Sequence, residues 1–374
     1  MYSVSAFGRM ITDTVRVDAY TEAMRQSIFP GAIVLEIGSG TGFFAMLACR
    51  MGAGHVHAIE PNETITLAQQ VAVANGLSDR ITFHEKMSTE VALSEKADVV
   101  ISDLRGVLPL FAQHIPSIAD ARERLLKPGG VQIPQRDRLF AALISSEEHY
   151  KETLGPWDPS FHGLDWSSTR RMVFNEWRKA KVLPSELLSP PVHWVTLDYT
   201  RTVNPNVNGR LILTSDRAET AHGFTVWFDT ELIEGVGFSN APDKPIAIYG
   251  RAYFPFESPI ELDAGQKVQV DMRADLAGSE YVWSWKTSVG GRALFSQSTF
   301  KSVVLSPSSF RKSAISHRPA LNRDGMVTRW LLEAMDGQRT NEELASALQS
   351  KFPEQFSSLR AAIDRVTGIA QKYS

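Results

Sequence analysis

The sequence predicts an α/β domain with a mostly parallel sheet, followed by an antiparallel β-barrel domain and a small helical unit. Three observations carry this reading. Between about residues 20 and 144, short β-branched runs alternate with Ala/Leu-rich stretches, each gap long enough for a crossover helix. From about 149 to 305 the runs become aromatic or alternating and are punctuated by Pro and Gly, as antiparallel strands and tight turns require. Beyond a Ser/Pro/basic stretch at 306–319, which reads as a linker, apolar residues return at helical spacing. The length of 374 residues, about twice that of a typical domain, fits a division into 1–144, 145–305 and 320–374.

In the first domain the strand candidates are 32–37, 55–59, 81–84, 99–102 and 131–133, and a helix at 43–51 follows the first of them across a glycine-rich turn. In the second, 225–228, 246–254, 267–272 and 281–288 read as strands. Apolar and basic side chains mix at about 156–182, a candidate helical arm. In the tail, Trp330, Leu331, Leu332 and Met335 mark one helix, and Leu344, Ala347, Leu348 and Phe352 another. Asp336-Gly337 stops the first, and Thr340 with Glu343 forms a capping box that starts the second.

Composition excludes several classes of function. Thirty-nine basic against 42 acidic side chains give a formal charge of −3, so nothing global draws the chain to nucleic acid or an anionic membrane. No apolar stretch approaches the roughly 18–20 residues of a membrane span. The single cysteine, Cys49, cannot form an intrachain disulfide or a thiolate cluster, and the nine histidines lack metal-ligand spacing, so neither a redox framework nor a metal is expected. A cytoplasmic protein is the expectation.

The most informative segment is Val34-Leu35-Glu36-Ile37-Gly38-Ser39-Gly40-Thr41-Gly42, an apolar strand running into a glycine turn and then a helix. Glycine permits the tight turn and lets a ligand approach the backbone with no Cβ in the way. The following helix N-terminus offers unpaired N–H groups to an anionic end of that ligand. Glu60, about twenty residues on at the end of the second strand, stands where the ribose hydroxyls of an adenosine cofactor would lie. The glycine spacing, G-x-G-x-G instead of G-x-G-x-x-G, leaves the kind of adenosine cofactor open on these grounds alone.

This glycine motif, with Ala58-Ile59-Glu60-Pro61, resembles the first two motifs of class I S-adenosylmethionine-dependent methyltransferases. Further segments, in order over nearly 300 residues, are similar to the protein arginine methyltransferases: 10–16, Ile101-Ser102-Asp103, 126–130, 161–165, 222–229 and 238–242. The resemblance implies a Rossmann-like S-adenosylmethionine domain, a barrel carrying a helical dimerisation arm, and a homodimer. It implies cofactor contacts from Met10, Arg16, Glu36, Gly38, Ser39, Gly40, Thr41, Gly42, Glu60, Pro61, Ser88 and Thr89. Arg16 would pair with the cofactor carboxylate, Glu60 with the ribose diol, and Ser88 and Thr89 with the adenine. The tail is similar to small winged-helix peptide-binding domains.

The implied reaction is methyl transfer to an amine or guanidine nitrogen of a peptide, protein or small metabolite; the alternative is a catalytically silent subunit that binds a partner through the tail. Methyl transfer from a sulfonium is an in-line displacement, so placing the acceptor lone pair matters most. Where the family holds a guanidinium with two glutamates, this sequence has Asp103 and Ala112, and its Thr-His-Trp motif reads Ala247-Ile248-Tyr249. Asp103 is the expected orienting or general-base residue. Arg105, Gln113, His114 and Tyr249 are the expected acceptor contacts, with Arg105 facing an acidic group of the acceptor or forming a surface ion pair.

Overall fold

A computed structural model describes residues 3–158, 161–201, 204–304, 311–312 and 315–374, so half of the linker expected at 306–319 lies outside the described residues. The chain forms two compact units, Met1–Val303 and Val304–Ser374.

The first unit opens with helices α1 (Val4–Ile11) and α2 (Thr14–Ser27). Asp13 caps α2, its Oδ1 accepting the Arg16 N–H at 3.3 Å, while its Oδ2 accepts the Ile248 N–H at 2.6 Å. Five parallel strands follow: β1 (Ile33–Ile37), β2 (His55–Ile59), β3 (Ile81–His84), β4 (Ala97–Ser102) and β5 (Leu126–Ile133), in the order β3-β2-β1-β4-β5. Helices α3 (Phe43–Arg50), α4 (Thr64–Ala74) and α5 (His114–Arg124) accompany them. Along β1, Val34 joins one apolar cluster and Leu35 and Ile37 another, so the strand is covered on both faces and reads as a continuous apolar run. Strand order reverses between β1 and its neighbours β2 and β4, and the carboxyl ends at such a switch point are where open α/β sheets hold ligands.

Two antiparallel sheets contain the remaining strands described in this unit. In chain order their strands are β6 (Arg136–Ile144), β7 (Arg178–Ala180), β8 (Val192–Asp198), β9 (Val207–Thr214), β10 (Glu219–Ile233), β11 (Val236–Ser239), β12 (Arg251–Leu262), β13 (Lys267–Ala277), β14 (Glu280–Val289) and β15 (Arg292–Ser298). One sheet runs β7-β12-β10-β6-β8 with β11 on β10, the other β15-β14-β13-β9. Their inner faces share a core that includes Phe224, Phe254, Trp283 and Trp285. The tryptophans are core residues because every second position of β14 points inward.

Two differences from the sequence reading concern the site. The strand ending at Ile144 belongs to the barrel: β6 pairs with β10 and β8, so the division falls before Arg136 and not after 144. The run 246–254 is a strand only from Arg251, because 247–250 form a turn closed by the Gly250 N–H on the Ala247 carbonyl. Helix α6 (Glu147–Leu154) precedes the region expected as an arm, and helix α7 (Ser167–Val173) lies in that region, of which positions 159 and 160 are outside the described residues.

The second unit contains α8 (Arg323–Ala334), α9 (Asn341–Lys351) and α10 (Leu359–Tyr373), packed through Val327, Leu331, Leu344, Leu348 and Val366. Thr340 and Glu343 make the reciprocal capping bonds at the start of α9. Helix α10 was not foreseen, although Ala362, Val366 and Ile369 carry helical spacing. No strand occurs among its described residues, so the winged-helix likeness extends to the helices alone.

Candidate active site

The turn between β1 and α3 is the cradle that the sequence announces. Gly38, Gly40 and Gly42 have φ of 74°, 51° and 73°, the left-handed region that side chains avoid. A Cβ on Gly38 would stand 2.5 Å from Leu104 Cδ2 and one on Gly40 2.6 Å from Phe7 Cε1. Side chains from α1 and from the loop after β4 therefore approach the bare backbone of the turn. Glu60 is almost fully buried beside it: Oε2 accepts the Gly40 N–H at 3.0 Å, and Oε1 accepts the backbone and side-chain N–H groups of Asn62 at 3.1 and 2.6 Å. Ser39 keeps a buried hydroxyl oxygen with no hydrogen-bond partner among the described residues.

Glu36 lies below the turn. Its carboxyl accepts the Ala45 N–H at 2.8 Å, which caps α3 from inside the sheet and makes it a support for the turn. Burial pushes this carboxyl from its ordinary 4.5 up to about 8, against the opposing pull of the Ala45 N–H. With the folded value above the unfolded one, its contribution to stability is present below the unfolded value and is lost as pH rises through about 8. Glu36→Gln is expected to flatten that part of the pH dependence, measured as urea midpoints across this range. Parallel curves for the two proteins would assign the slope to another group.

One strand away, a network of charges occupies the ends of β4, β6 and α2. Ile37 is paired with Ser102, so Asp103 begins where the glycine turn begins on the neighbouring strand. Asp103 Oδ1 accepts from Arg105 Nη1 at 3.0 Å, and Oδ2 accepts from Arg16 Nε and from the Tyr249 hydroxyl, the latter at 2.6 Å. Arg16 also donates to the Met10 carbonyl at 3.1 Å and lies over the Phe44 ring, 5.0 Å from its centre. Arg105 grips Asp137 through Nε at 2.8 Å and Nη2 at 3.2 Å. It also donates to Tyr20 Oη at 2.8 Å and Thr230 Oγ1 at 2.7 Å. Tyr199 donates its hydroxyl to Asp137 at 2.6 Å.

The electrostatics follow. Burial alone would raise the Asp103 carboxyl, but the guanidinium groups of Arg16 and then Arg105 outweigh it and hold the group below the ordinary carboxylate range. Burial, and then the Asp103 charge, pushes the Tyr249 hydroxyl well up, so it stays a donor. Burial, with Arg105 next, lowers His114 to about 4 and keeps it neutral near pH 7.

Other residues expected to meet ligands fall in different places. Arg105 has a side chain with no exposure, which excludes contact with an acidic group of an acceptor; it forms an ion pair, but a buried one with Asp137 and Asp103, where a surface pair was the alternative. His114 is buried on α5, Nε2 against the Tyr199 hydroxyl at 3.2 Å, because the first turn of that helix faces the barrel core. Gln113 reaches the carbonyl of Gly278 at 2.7 Å, tying the loop to the β13–β14 hairpin. Ser88 is buried, Thr89 and Pro61 are exposed, and Thr41 is half-buried. Asp137, Tyr20, Tyr199 and Thr230 were missed. For Asp137 a signal existed: it shares the inward face of β6 with Leu139 and Ala141, an unusual place for a carboxylate.

Residues 34–130 match a family profile described as a methyltransferase domain, and 135–279 one described as the arginine methyltransferase oligomerization subdomain. The arginine N(omega)-methyltransferase of Streptomyces achromogenes subsp. streptozoticus is 33% identical over 269 residues, spanning 69% of this chain and 72% of that protein. The chain belongs to the arginine methyltransferase family. Protein arginine N-methyltransferase 1 of Dictyostelium discoideum is 29% identical, over 71% of this chain and 80% of that one. Among solved structures, the Trypanosoma brucei PRMT1 enzyme-prozyme heterotetrameric complex with AdoHcy aligns at a TM-score of 0.73 and 22% identity, over 79% of this chain and 98% of that one. Arabidopsis thaliana protein arginine methyltransferase 10 aligns at 0.70 and 21%, over 79% and 97%. These two show the shared fold.

S-adenosylmethionine is the cofactor of this methyltransferase, and the residues present fit it. The cradle takes only a backbone without Cβ, a buried hydroxyl stands unpartnered at Ser39, and an acid and a guanidinium lie beside it in Glu60 and Arg16. Glu60→Gln is expected to weaken S-adenosylhomocysteine binding by about 10- to 100-fold, the equivalent of about 1.5–3 kcal/mol for a charged hydrogen bond. Calorimetry measures it, and an unchanged Kd would remove Glu60 from the site.

Proposed function

We propose that this methyltransferase transfers a methyl group to a nitrogen of amine or guanidine type on a peptide, protein or small metabolite. The observation that carries the reading is the position of Asp103: an ionised, buried carboxylate at the strand end next to the glycine cradle. Arginine N-methyltransferase relatives support a nitrogen acceptor.

When bound, S-adenosylmethionine supplies a methyl group activated on sulfur. Arg16 would hold its carboxylate and Glu60 its ribose hydroxyls, with Gly38, Gly40 and Gly42 beneath it. Phe7 and Leu104 close over the turn and reduce water access. Asp103 stays ionised near neutral pH, so it orients an N–H of the acceptor and is a weak proton acceptor. Tyr249 and Arg105 fix its two oxygens, which sets the direction of the lone pair that remains.

The experiment is transfer of labelled methyl from S-adenosylmethionine to a cell extract, read by mass spectrometry. Nitrogen-linked label in a product, absent when the protein is omitted, supports the reading; S-adenosylhomocysteine binding with no transfer would leave a silent subunit. That second reading has an observation in its favour, the three donors on Asp103 with Ala112 at the second carboxylate position. The match of 135–279 to an oligomerization subdomain supports a homodimer, which light scattering would detect.

A further inference from the structure

Arg105 sits in a complete receptor for a guanidinium. Its five N–H groups all have acceptors: Asp137 takes two, and Asp103, Tyr20 and Thr230 take one each. The face of Phe228 lies 5.5 Å below Cζ, and the side chain has no solvent exposure. Two carboxylates, two hydroxyls and an aromatic ring, gathered from α2, β6, β10 and the loop after β4, are what a free arginine side chain would require. Here the occupant comes from the same chain.

The occupancy limits what else can bind. Asp103 already accepts three hydrogen bonds, from Arg105, Arg16 and Tyr249, which leaves about one of its roughly four lone-pair sites. A bidentate guanidinium fork needs more. The charges of Arg16 and Arg105 cancel those of Asp103 and Asp137, so an entering cation meets no net attraction and two guanidinium groups close by. At Ala112, where a second carboxylate would help, the chain carries a methyl group on a left-handed backbone with φ of 41°. A neutral amine asks for a single hydrogen-bond acceptor and no counter-charge.

We propose that Arg105 is a resident guanidinium that determines acceptor choice: it fills the carboxylate pair, closes Asp103 to cationic guanidines, and leaves an uncharged amine nitrogen as the acceptor. The proposal rests on the nitrogen-methyltransferase reading and narrows it. In the reaction the amine lone pair forms the N–C bond, and the C–S bond breaks with its electrons going to sulfur. The resulting ammonium releases its proton to water.

The test uses the wild-type full chain, labelled S-adenosylmethionine and extract, followed by hydrolysis that separates methylated amines from methylated guanidines. Label in the amine fraction, at least tenfold above the guanidine fraction, is the expected result, with kcat/KM rising about tenfold per pH unit below the pKa of the acceptor amine. Label chiefly on guanidine nitrogen, or on oxygen or sulfur, overturns the proposal. Label nowhere would defeat the nitrogen-methyltransferase reading itself and this proposal with it. As a second measurement, millimolar guanidinium chloride is expected to raise the Tm of Arg105→Ala and not that of wild type, because the emptied receptor binds the ion. A folded Arg105→Ala protein whose Tm does not respond overturns the receptor. If that variant fails to fold, the label assignment on the wild-type protein still decides.

Discussion

Asp137→Ala is expected to destabilise the first unit by about 3–5 kcal/mol, the cost of leaving a buried charge without its partner. Asp137 is fully buried and holds the only bidentate fork on Arg105 among the described residues, together with the hydroxyl of Tyr199. Its removal leaves a guanidinium of zero exposure with Asp103 alone as counter-charge. Hydroxyl contacts from Tyr20 and Thr230 remain, but neither carries charge. The urea midpoint, followed by tryptophan fluorescence at neutral pH, would move accordingly. Asp137→Asn, which keeps an acceptor oxygen, is expected to lose less. Adding Arg105→Met to Asp137→Ala should restore much of the loss, since a buried pair replaced by apolar groups is often near neutral. Additive losses in the double variant would show that the two residues act independently.

The largest effect on catalysis is expected at Asp103. Asp103→Ala should lower turnover at saturating cofactor by about 100-fold or more, within the range that a positioned acid–base or orienting group contributes. Three donors lose their common acceptor at once, so Tyr249 and Arg16 become free to shift, while Asp137, Tyr20 and Thr230 still hold Arg105. The pH profile separates the two roles open to this residue. Because Arg16 and Arg105 override burial and hold Asp103 below the ordinary carboxylate range, an orienting Asp103 gives no acid limb of activity near neutral pH. A limb near neutrality that disappears in Asp103→Asn would reassign it as a base with a raised pKa. Activity of the alanine variant within a few-fold of wild type would remove it from the chemistry.

What could be read from the sequence was mostly local. The turn from Ile37 to Phe43 and its partner Glu60 lie within one strand-helix-strand unit, where spacing alone specifies geometry, and the Glu60 carboxylate does reach the Gly40 amide. Glu36 belongs to the same unit, but the choice between ligand and support depends on which face of β1 carries it, and it turned to α3. Arg105 defeated local reasoning because its principal partner is 32 residues away, across the division between parallel sheet and barrel. Drawing the first domain to 144, with no strand read after 131–133, hid that partner, since β6 and the sheet it joins decide which neighbours Asp137 meets. Tyr249 was named from resemblance, yet its contact with Asp103 depends on the turn at 247–250, where a continuous strand was expected.

The dual use of Asp13 constrains any attempt to recombine this protein with its relatives. One oxygen of that carboxylate starts α2, the helix that carries Arg16, and the other holds the peptide N–H of Ile248, next to Tyr249. A chimera that takes its barrel from a relative must therefore bring a backbone donor to the same point, along with counterparts of Asp137, Thr230 and Tyr249. Without these, the transplanted half would meet an arginine, an aspartate and a helix cap that no longer have complements. The functional unit inherited intact is then the whole of residues 3–303, and the seam between sheet and barrel is a poor place to cut.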